Sequence, residues 1–177
     1  MGSLPTTSPV PNTQTMADMK NVAAVDFAGQ SYLFFVDGSQ ISFYVGPAAS
    51  ESKGSYNRYS FNLPKVQTHP DFYKIAAVSW KTSNGAELRL YFANTDGELV
   101  ELTRSSGPNG VSDWGWGKLQ AEDYKLDPAS SGLSAVVNDT MTRLYYTPPK
   151  GKTVWVASSP TVDVDWSTKV MVKLNLP

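Results

Sequence analysis

Short apolar runs alternate with turn-forming residues along most of the chain. Asp-Gly pairs at residues 37–38 and 96–97 stand between runs in which apolar and polar side chains alternate. Asp-Gly between such runs is a strong signal for a β-hairpin. No segment shows sustained apolar spacing at three and four residues, so we expect almost no helix. The pattern predicts an all-β protein.

An apolar pattern recurs three times along the chain, at intervals of roughly 55 residues. Each copy has an Ala-Val-rich strand, a strand with Leu followed by two aromatic residues, a turn with a short third strand, and an aromatic or apolar fourth strand. The first signal lies at residues 23–25, 76–78 and 134–136, the second at 33–35, 90–92 and 144–146, and the fourth near 59–61, 114–116 and 166–174.

Three copies of four short strands are typical of β-propeller blades. We therefore predict four-stranded blades over about residues 21–65, 73–122 and 131–176. Residues 1–20 are rich in Ser, Thr, Pro and Asn, which indicates a flexible tail. An immunoglobulin-like sandwich is the alternative, although such a fold is not expected to repeat a three-part motif at this interval.

Three blades cannot close a ring, because propellers commonly hold four to eight. A half ring would leave two sheet faces uncovered, and two chains related by a twofold axis would supply six blades. We therefore predict a homodimer that forms one six-bladed ring. The alternative is that the chain is a fragment of a longer propeller.

Composition narrows the classes of function. The chain has 177 residues, of which 41% are hydrophobic, enough for one domain with a substantial core. A formal charge of −1 gives a nucleic-acid or anionic-membrane partner little electrostatic support. With no cysteine and one histidine, His69, we expect no disulfide, no metal site and no cofactor. We see no signal peptide or membrane-spanning run, and we expect a cytoplasmic protein without a membrane partner.

The second copy carries a resemblance to a known family. Its stretch from Glu87 to Leu102, together with Trp80 before it and Trp114 and Trp116 after it, resembles the fungal fucose-specific lectins. That resemblance implies a six-bladed propeller that binds fucose between adjacent blades. It also implies that an Arg on the second strand, a Glu on the third strand and a Trp of the next blade bind each sugar.

Blade two retains the charged pair of that motif. Arg89 and Glu101 match the family's Arg and Glu, while the position of the next-blade Trp falls near Asn138. Trp166 could supply an aromatic wall instead. We expect the best-preserved ligand cleft between blades two and three. The alternative is that Arg89 and Glu101 form a cross-strand ion pair on a solvated sheet face.

The other two blades depart from the motif. Blade one has Tyr32 at the Arg position and Ser42 at the Glu position, with Trp80 available from the next blade. Blade three keeps Arg143 but has Trp155 at the Glu position. These changes make both sites poorer matches to a fucose site.

Three classes of function follow from these observations. The first is a lectin that binds fucose-type glycans. The second is a lectin-like propeller acting as a cofactor-free enzyme of fungal secondary metabolism, a cyclase or cycloaddition catalyst for a small organic molecule. Its pocket would be formed by Tyr32, Trp80, Arg143 and Trp155, which would orient a flat substrate and donate hydrogen bonds. The third is a protein-interaction propeller without a small-molecule site.

Overall fold

A computed structural model describes residues 19–47, 55–128, 132–149, 153–161 and 165–172. Within them the chain forms three antiparallel sheets and one short 3-10 helix at Leu119–Glu122. The prediction of an all-β protein is confirmed. The first strand begins at Met19, and residues 1–18 of the predicted tail lie outside the described residues.

Each sheet is a meander in which consecutive strands pair. Sheet 1 contains β1 (Met19–Phe27), β2 (Gln30–Asp37), β3 (Gln40–Pro47) and β4 (Asn57–Ser60). Sheet 2 contains β5 (Ile75–Thr82), β6 (Gly85–Ala93), β7 (Leu99–Gly107) and β8 (Gly110–Val111), with β9 (Gly115–Trp116) also paired to β7. Sheet 3 contains β10 (Leu133–Val137), β11 (Met141–Tyr146), β12 (Val154–Pro160) and β13 (Ser167–Val172).

The sequence repeat coincides with the pairing register of the first two strands. The second alanine of the first signal pairs with the leucine of the second signal in every sheet: Ala24 with Leu33, Ala77 with Leu90, and Ala135 with Leu144. Residues at matching places in the repeat therefore occupy matching places in the three sheets. Because side chains alternate between the faces of a strand, matching residues also share the same face.

The turns explain where the hairpins form. Between β1 and β2 the chain turns at Ala28 and Gly29, both with positive φ, as a tight two-residue hairpin turn requires. After β2 the turn residues are Gly38 and Ser39, because Asp37 already pairs with Gln40. The connection from β6 to β7 is longer, since Ala93 pairs with Leu99 across residues 94–98.

Sheet 2 lies between the other two sheets. On one face, Leu90, Phe92 and Leu102 join side chains of sheet 1 in a cluster that we call core 1. On its other face, Tyr91 and Leu99 join side chains of sheet 3 in core 2. The first strands of the sheets are neighbours in space, β1 beside β5 and β5 beside β10. This order, with three sheets instead of two, differs from the sandwich alternative.

The covered middle sheet should carry much of the stability. Leu102 is fully buried in core 1, so Leu102→Ala should lower the free energy of unfolding by about 2–5 kcal/mol through lost burial and a residual cavity. The exposed Val111, on β8 of the same sheet, is the control, and Val111→Ala should change it by less than about 0.5 kcal/mol. Urea denaturation measures both. Equal losses for the two variants would contradict this packing.

Candidate functional site

The charged pair predicted for blade two lies between sheets 2 and 3. Arg89 on β6 and Glu101 on β7 point to the same face, that of Tyr91, towards core 2. Arg89 is 7% exposed and Glu101 is 3% exposed. The two side chains form a cross-strand ion pair, as the alternative supposed, but the pair is buried between sheets and does not lie on a solvated face.

Four donors surround the carboxylate of Glu101. Its Oε1 lies 3.4 Å from Arg89 Nε and accepts a hydrogen bond from the Tyr91 hydroxyl at 3.1 Å. Its Oε2 accepts from the backbone N–H of Lys118 at 3.2 Å and from the Trp166 indole N–H at 3.4 Å. A carboxylate has about four acceptor positions, so Glu101 has little capacity left for a ligand.

The guanidinium of Arg89 is also occupied by protein groups. Its Nη1 donates to Glu87 Oε2 at 2.7 Å and lies 3.4 Å from the carbonyl oxygen of Leu88. Trp80 on β5 lies beneath the guanidinium, with the ring centroid 5.2 Å from Cζ. Trp80 therefore lies with Arg89 on the face of sheet 2 that is directed towards sheet 3. The sequence motif had instead grouped Trp80 with Tyr32, the residue at the Arg position of blade one.

The network holds sheets 2 and 3 together. Trp166 precedes β13 of sheet 3, and its ring packs edge-on against Tyr91 at 5.9 Å while its N–H binds Glu101. Gly117 completes the enclosure, because a Cβ at this position would overlap the Glu101 carboxylate. Burial raises the pKa of Glu101, while the charge of Arg89 and the hydrogen bonds from Trp166 and Tyr91 act in the opposite direction. Burial, reinforced by the Glu101 charge, raises the pKa of Tyr91 well above its usual range.

The remaining predicted site residues do not meet in one pocket. Tyr32 is buried in core 1, between sheets 1 and 2. Trp155 packs against Tyr146 on the side of core 2, at 6.3 Å. Arg143 lies on the opposite face of sheet 3 from Trp155, because it alternates with the core 2 residues of β11. The four-residue pocket on which the enzyme hypothesis relied, Tyr32, Trp80, Arg143 and Trp155, is therefore not assembled within this chain.

The pairing register also changes which residues of the first and third repeats correspond to Glu101. Tyr91 pairs with Glu101, and the corresponding pairs are Phe34 with Phe43 and Tyr145 with Val156. Phe43 and Val156 therefore take the places that counting along the sequence assigned to Ser42 and Trp155. The difference arises because the connections between the second and third strands have different lengths.

A cleft that sequence reasoning missed opens between sheets 1 and 2. Its volume is about 330 Å³, within the range of small-molecule sites. Four aromatic side chains and several polar ones line it: Tyr32, Phe43, Tyr59, Trp114, Gln30, Asn62, Arg104 and Asp113. Tyr59 is exposed and stacks on Phe43 at 5.6 Å, so an aromatic face remains open at the rim.

Arg104 on β7 is the central cation of this cleft. Its Nε donates to the carbonyl oxygen of Ser112 at 2.9 Å, and its Nη1 donates to the Tyr32 hydroxyl at 3.4 Å. The guanidinium carbon lies 5.8 Å from the ring centroid of Tyr32 and 5.5 Å from that of Trp114. Burial raises the pKa of Tyr32, against the opposing charge of Arg104, so Tyr32 stays a neutral donor.

The ring of Trp114 lines the cleft, whereas its indole nitrogen is enclosed. This nitrogen is buried and has no hydrogen-bond partner among the described residues. A buried N–H without an acceptor costs free energy. Arg104 lies in space between Tyr32 of the first repeat and Trp114 of the second. Sequence reasoning could not group these residues, because Tyr32 is far from the other two along the chain.

Comparison with known proteins adds no family: no family model matches the chain, and no curated protein is similar enough to be matched. Across the described ranges, no helix is both long enough and apolar enough to cross a membrane. No three His, Cys, Asp or Glu side chains in the described part of the chain come together as possible metal ligands.

The buried network predicts a specific dependence of stability on pH. A folded-state pKa above the unfolded value means that the folded chain holds the Glu101 proton more tightly, so stability falls as pH rises from about 4.5 through the raised pKa. Glu101→Gln lacks this contribution. The wild-type advantage in the free energy of unfolding over Glu101→Gln should therefore shrink as pH rises from 4.5 to 7.

Urea denaturation at both pH values measures this difference. At neutral pH the variant should still be less stable by about 1–3 kcal/mol, because the amide cannot accept from all four donors. Asp165, exposed and paired with Lys118, provides the control, and Asp165→Asn should leave stability nearly unchanged. A wild-type advantage that grows with pH would contradict a raised pKa.

Proposed function

We propose that the protein is a carbohydrate-binding, lectin-like β-propeller that holds a sugar in the cleft between sheets 1 and 2. The observation that carries this proposal is the combination of open aromatic faces with Arg104 in one cleft of suitable size. The resemblance of the second repeat to the fungal fucose-specific lectins makes a fucose-type glycan the first ligand to test.

The chemistry of the cleft fits a sugar. Aromatic rings such as those of Tyr59 and Trp114 can cover the apolar C–H face of a pyranose. The guanidinium of Arg104 donates in fixed directions, and the Asn62 and Asp113 side chains can accept from hydroxyl groups. The Gln30 side chain, which also lines the cleft, can donate to or accept from a ring hydroxyl.

This location differs from the site that the resemblance implies. Beside Arg89 and Glu101 a sugar would have to displace hydrogen bonds that already join sheets 2 and 3. In the cleft between sheets 1 and 2 the corresponding positions are Tyr32 and Phe43, which offer ring surface and one hydroxyl. We therefore place the ligand at the first interface, with Arg104 in place of Arg89 as the anchor.

The propeller architecture is part of the proposal. It is supported by three consecutive antiparallel sheets, two of four strands and one of five, whose first strands lie side by side, as the inner strands of propeller blades do. Three blades make half of a six-bladed ring, and a second chain would supply the other half. A ring of this kind would hold ligand clefts between its blades, where the aromatic cleft lies.

A sugar titration tests the function. Tryptophan fluorescence should change saturably on addition of fucose or a fucosylated glycan, because Trp114 lines the cleft. Arg104→Met should weaken binding about tenfold to a hundredfold, since it removes charge-assisted hydrogen bonds of roughly 1.5–3 kcal/mol. Galactose and glucose titrated in parallel report the specificity.

The matched control is Arg143→Met, which removes an arginine from the face of sheet 3 that is directed away from sheet 2 and from the cleft. This variant should bind the sugar as the wild type does. No saturable change with any sugar at tens of millimolar would overturn the proposed function. Loss of binding in Arg143→Met together with intact binding in Arg104→Met would place the ligand elsewhere and contradict this cleft.

A further inference from the structure

We infer that a second copy of this chain covers the outer faces of sheets 1 and 3, the faces directed away from sheet 2. Sheet 1 of one copy packs on sheet 3 of the other; we call each of the two resulting contacts a seam, and Tyr56 is buried in each seam. This inference rests on the propeller part of the proposed function and adds its interface residues. The argument compares positions that match in the repeat, because two of the interfaces between repeats are already present inside the chain.

The first matching positions lie on the first strands. Val22 pairs with Phe35 as Ile75 pairs with Phe92, so the two residues occupy the same place in sheets 1 and 2. Ile75 is 5% exposed and packs in core 1 against the preceding sheet, whereas Val22 is 52% exposed. The position of Val22, on the face of sheet 1 that would meet a preceding sheet, is therefore uncovered.

Sheet 3 has an exposed apolar residue on the face that would meet a following sheet. Val136 pairs with Arg143 as Val78 pairs with Arg89. Val78 is 7% exposed, because it packs in core 2 against the following sheet, but Val136 is 44% exposed. Within the part of the chain that the structure describes, sheet 1 thus has no preceding sheet and sheet 3 has no following one. These two outer faces, on which Phe35 and Val156 are already buried while Val22 and Val136 are exposed, correspond to the two halves of the interface that the chain already forms twice.

An aromatic residue crosses each internal interface. Trp114, just before β9, packs on Phe34 and Phe43 of sheet 1 at 5.8 Å and 5.7 Å. Trp166, just before β13, packs in the same way on Tyr91 of sheet 2 and binds Glu101. Each tryptophan is 7% exposed.

Tyr56 is the third member of this series. It stands just before β4, and its ring lies over Gly46 on the outer face of sheet 1. It is 44% exposed, in contrast to the two tryptophans. The positions on which it would pack in a preceding sheet correspond to Tyr145 and Val156, which lie on the outer face of sheet 3. Within one chain these two faces belong to the two end sheets, so a second copy provides the match.

The partner is another copy of the chain, because the outer face of sheet 1 matches a face that packs on a preceding repeat inside the chain, and the outer face of sheet 3 matches a face that packs on a following repeat. On this face of sheet 1, Phe35 and Tyr44 stack at 5.2 Å beside the exposed Val22, and Arg58 lies over the Phe35 ring and pairs with Asp37. Two copies related by a twofold axis form two identical seams and leave neither face open. Each seam places one copy's Tyr56 against the other copy's sheet 3.

Sedimentation equilibrium of the full chain at micromolar concentration tests the inference. We expect a mass about twice 19.3 kDa. Val136→Lys and Val22→Glu should each raise the dissociation constant of the dimer at least about tenfold, because each places a charge without a partner in both seams. Val111→Lys is the matched control: Val111 is 42% exposed, lies on β8 away from both faces, and should leave the dimer intact.

Mixing the two interface variants checks the head-to-tail arrangement. A dimer with one Val22→Glu chain and one Val136→Lys chain has one wild-type seam and one seam that joins Glu to Lys, so the mixture should recover dimer. A dimer that used sheet 1 against sheet 1 would respond to Val22→Glu alone and would overturn the inference. A monomer, a trimer or an open series of oligomers in the wild type would also overturn it.

Two readouts keep this test separate from that of sugar binding. Circular dichroism shows whether each variant is folded, and if one is not, the other still tests the seam. The sugar cleft lies within one chain, so Val136→Lys should keep the fucose affinity of the wild type within about twofold. A dimer that binds no sugar would leave this inference standing and overturn only the sugar proposal, while a monomer that binds sugar would do the reverse.

Discussion

A sheet with apolar side chains on both faces must be covered on both, and this requirement governs the whole molecule. Sheet 2 meets it inside the chain, because core 1 covers one face and core 2 covers the other. Sheets 1 and 3 are built from the same repeat and each has one such face covered. Exposed valines at repeat positions that are buried in sheet 2 are the direct result. The aromatic cleft and the Arg89–Glu101 network both lie where neighbouring repeats face one another.

The same positions hold different chemistry at the two internal interfaces. Tyr32 and Phe43 stand between sheets 1 and 2 where Arg89 and Glu101 stand between sheets 2 and 3. The charged pair is tolerated in a buried place because its hydrogen-bonding groups have partners, which offsets the cost of removing two charges from water. The first interface, with rings in place of the pair, brings in Arg104 from the next sheet and leaves the cleft beside it.

The repeat explains how much of the fold could be predicted. The Ala and Leu signals of the sequence correspond to paired ladder positions, so the three sheets and the pairing of their first two strands followed from the spacing, while the fifth strand of sheet 2 did not. The contents of the site did not follow. The carboxylate of Glu101 is enclosed by the backbone of Lys118 and the indole of Trp166, which lie far along the chain and meet only after folding. Counting residues also failed where connection lengths differ, as at Phe43.

A ring of two chains would contain three versions of the same interface between repeats, which differ in the side chains that meet there. One version has Tyr32 and Phe43 beneath Trp114, one has Tyr91 and Glu101 beneath Trp166, and the seam has Tyr145 and Val156 beneath the second copy's Tyr56. The first is the version that holds the cleft with Arg104 and the open ring of Tyr59. A dimer would then carry two equivalent sugar clefts, one from each chain. Two clefts on a rigid ring raise the effective affinity for a glycan surface through simultaneous binding, even when each binds one sugar weakly. Closing the ring and binding a surface would therefore be linked, because a separated chain offers only one cleft.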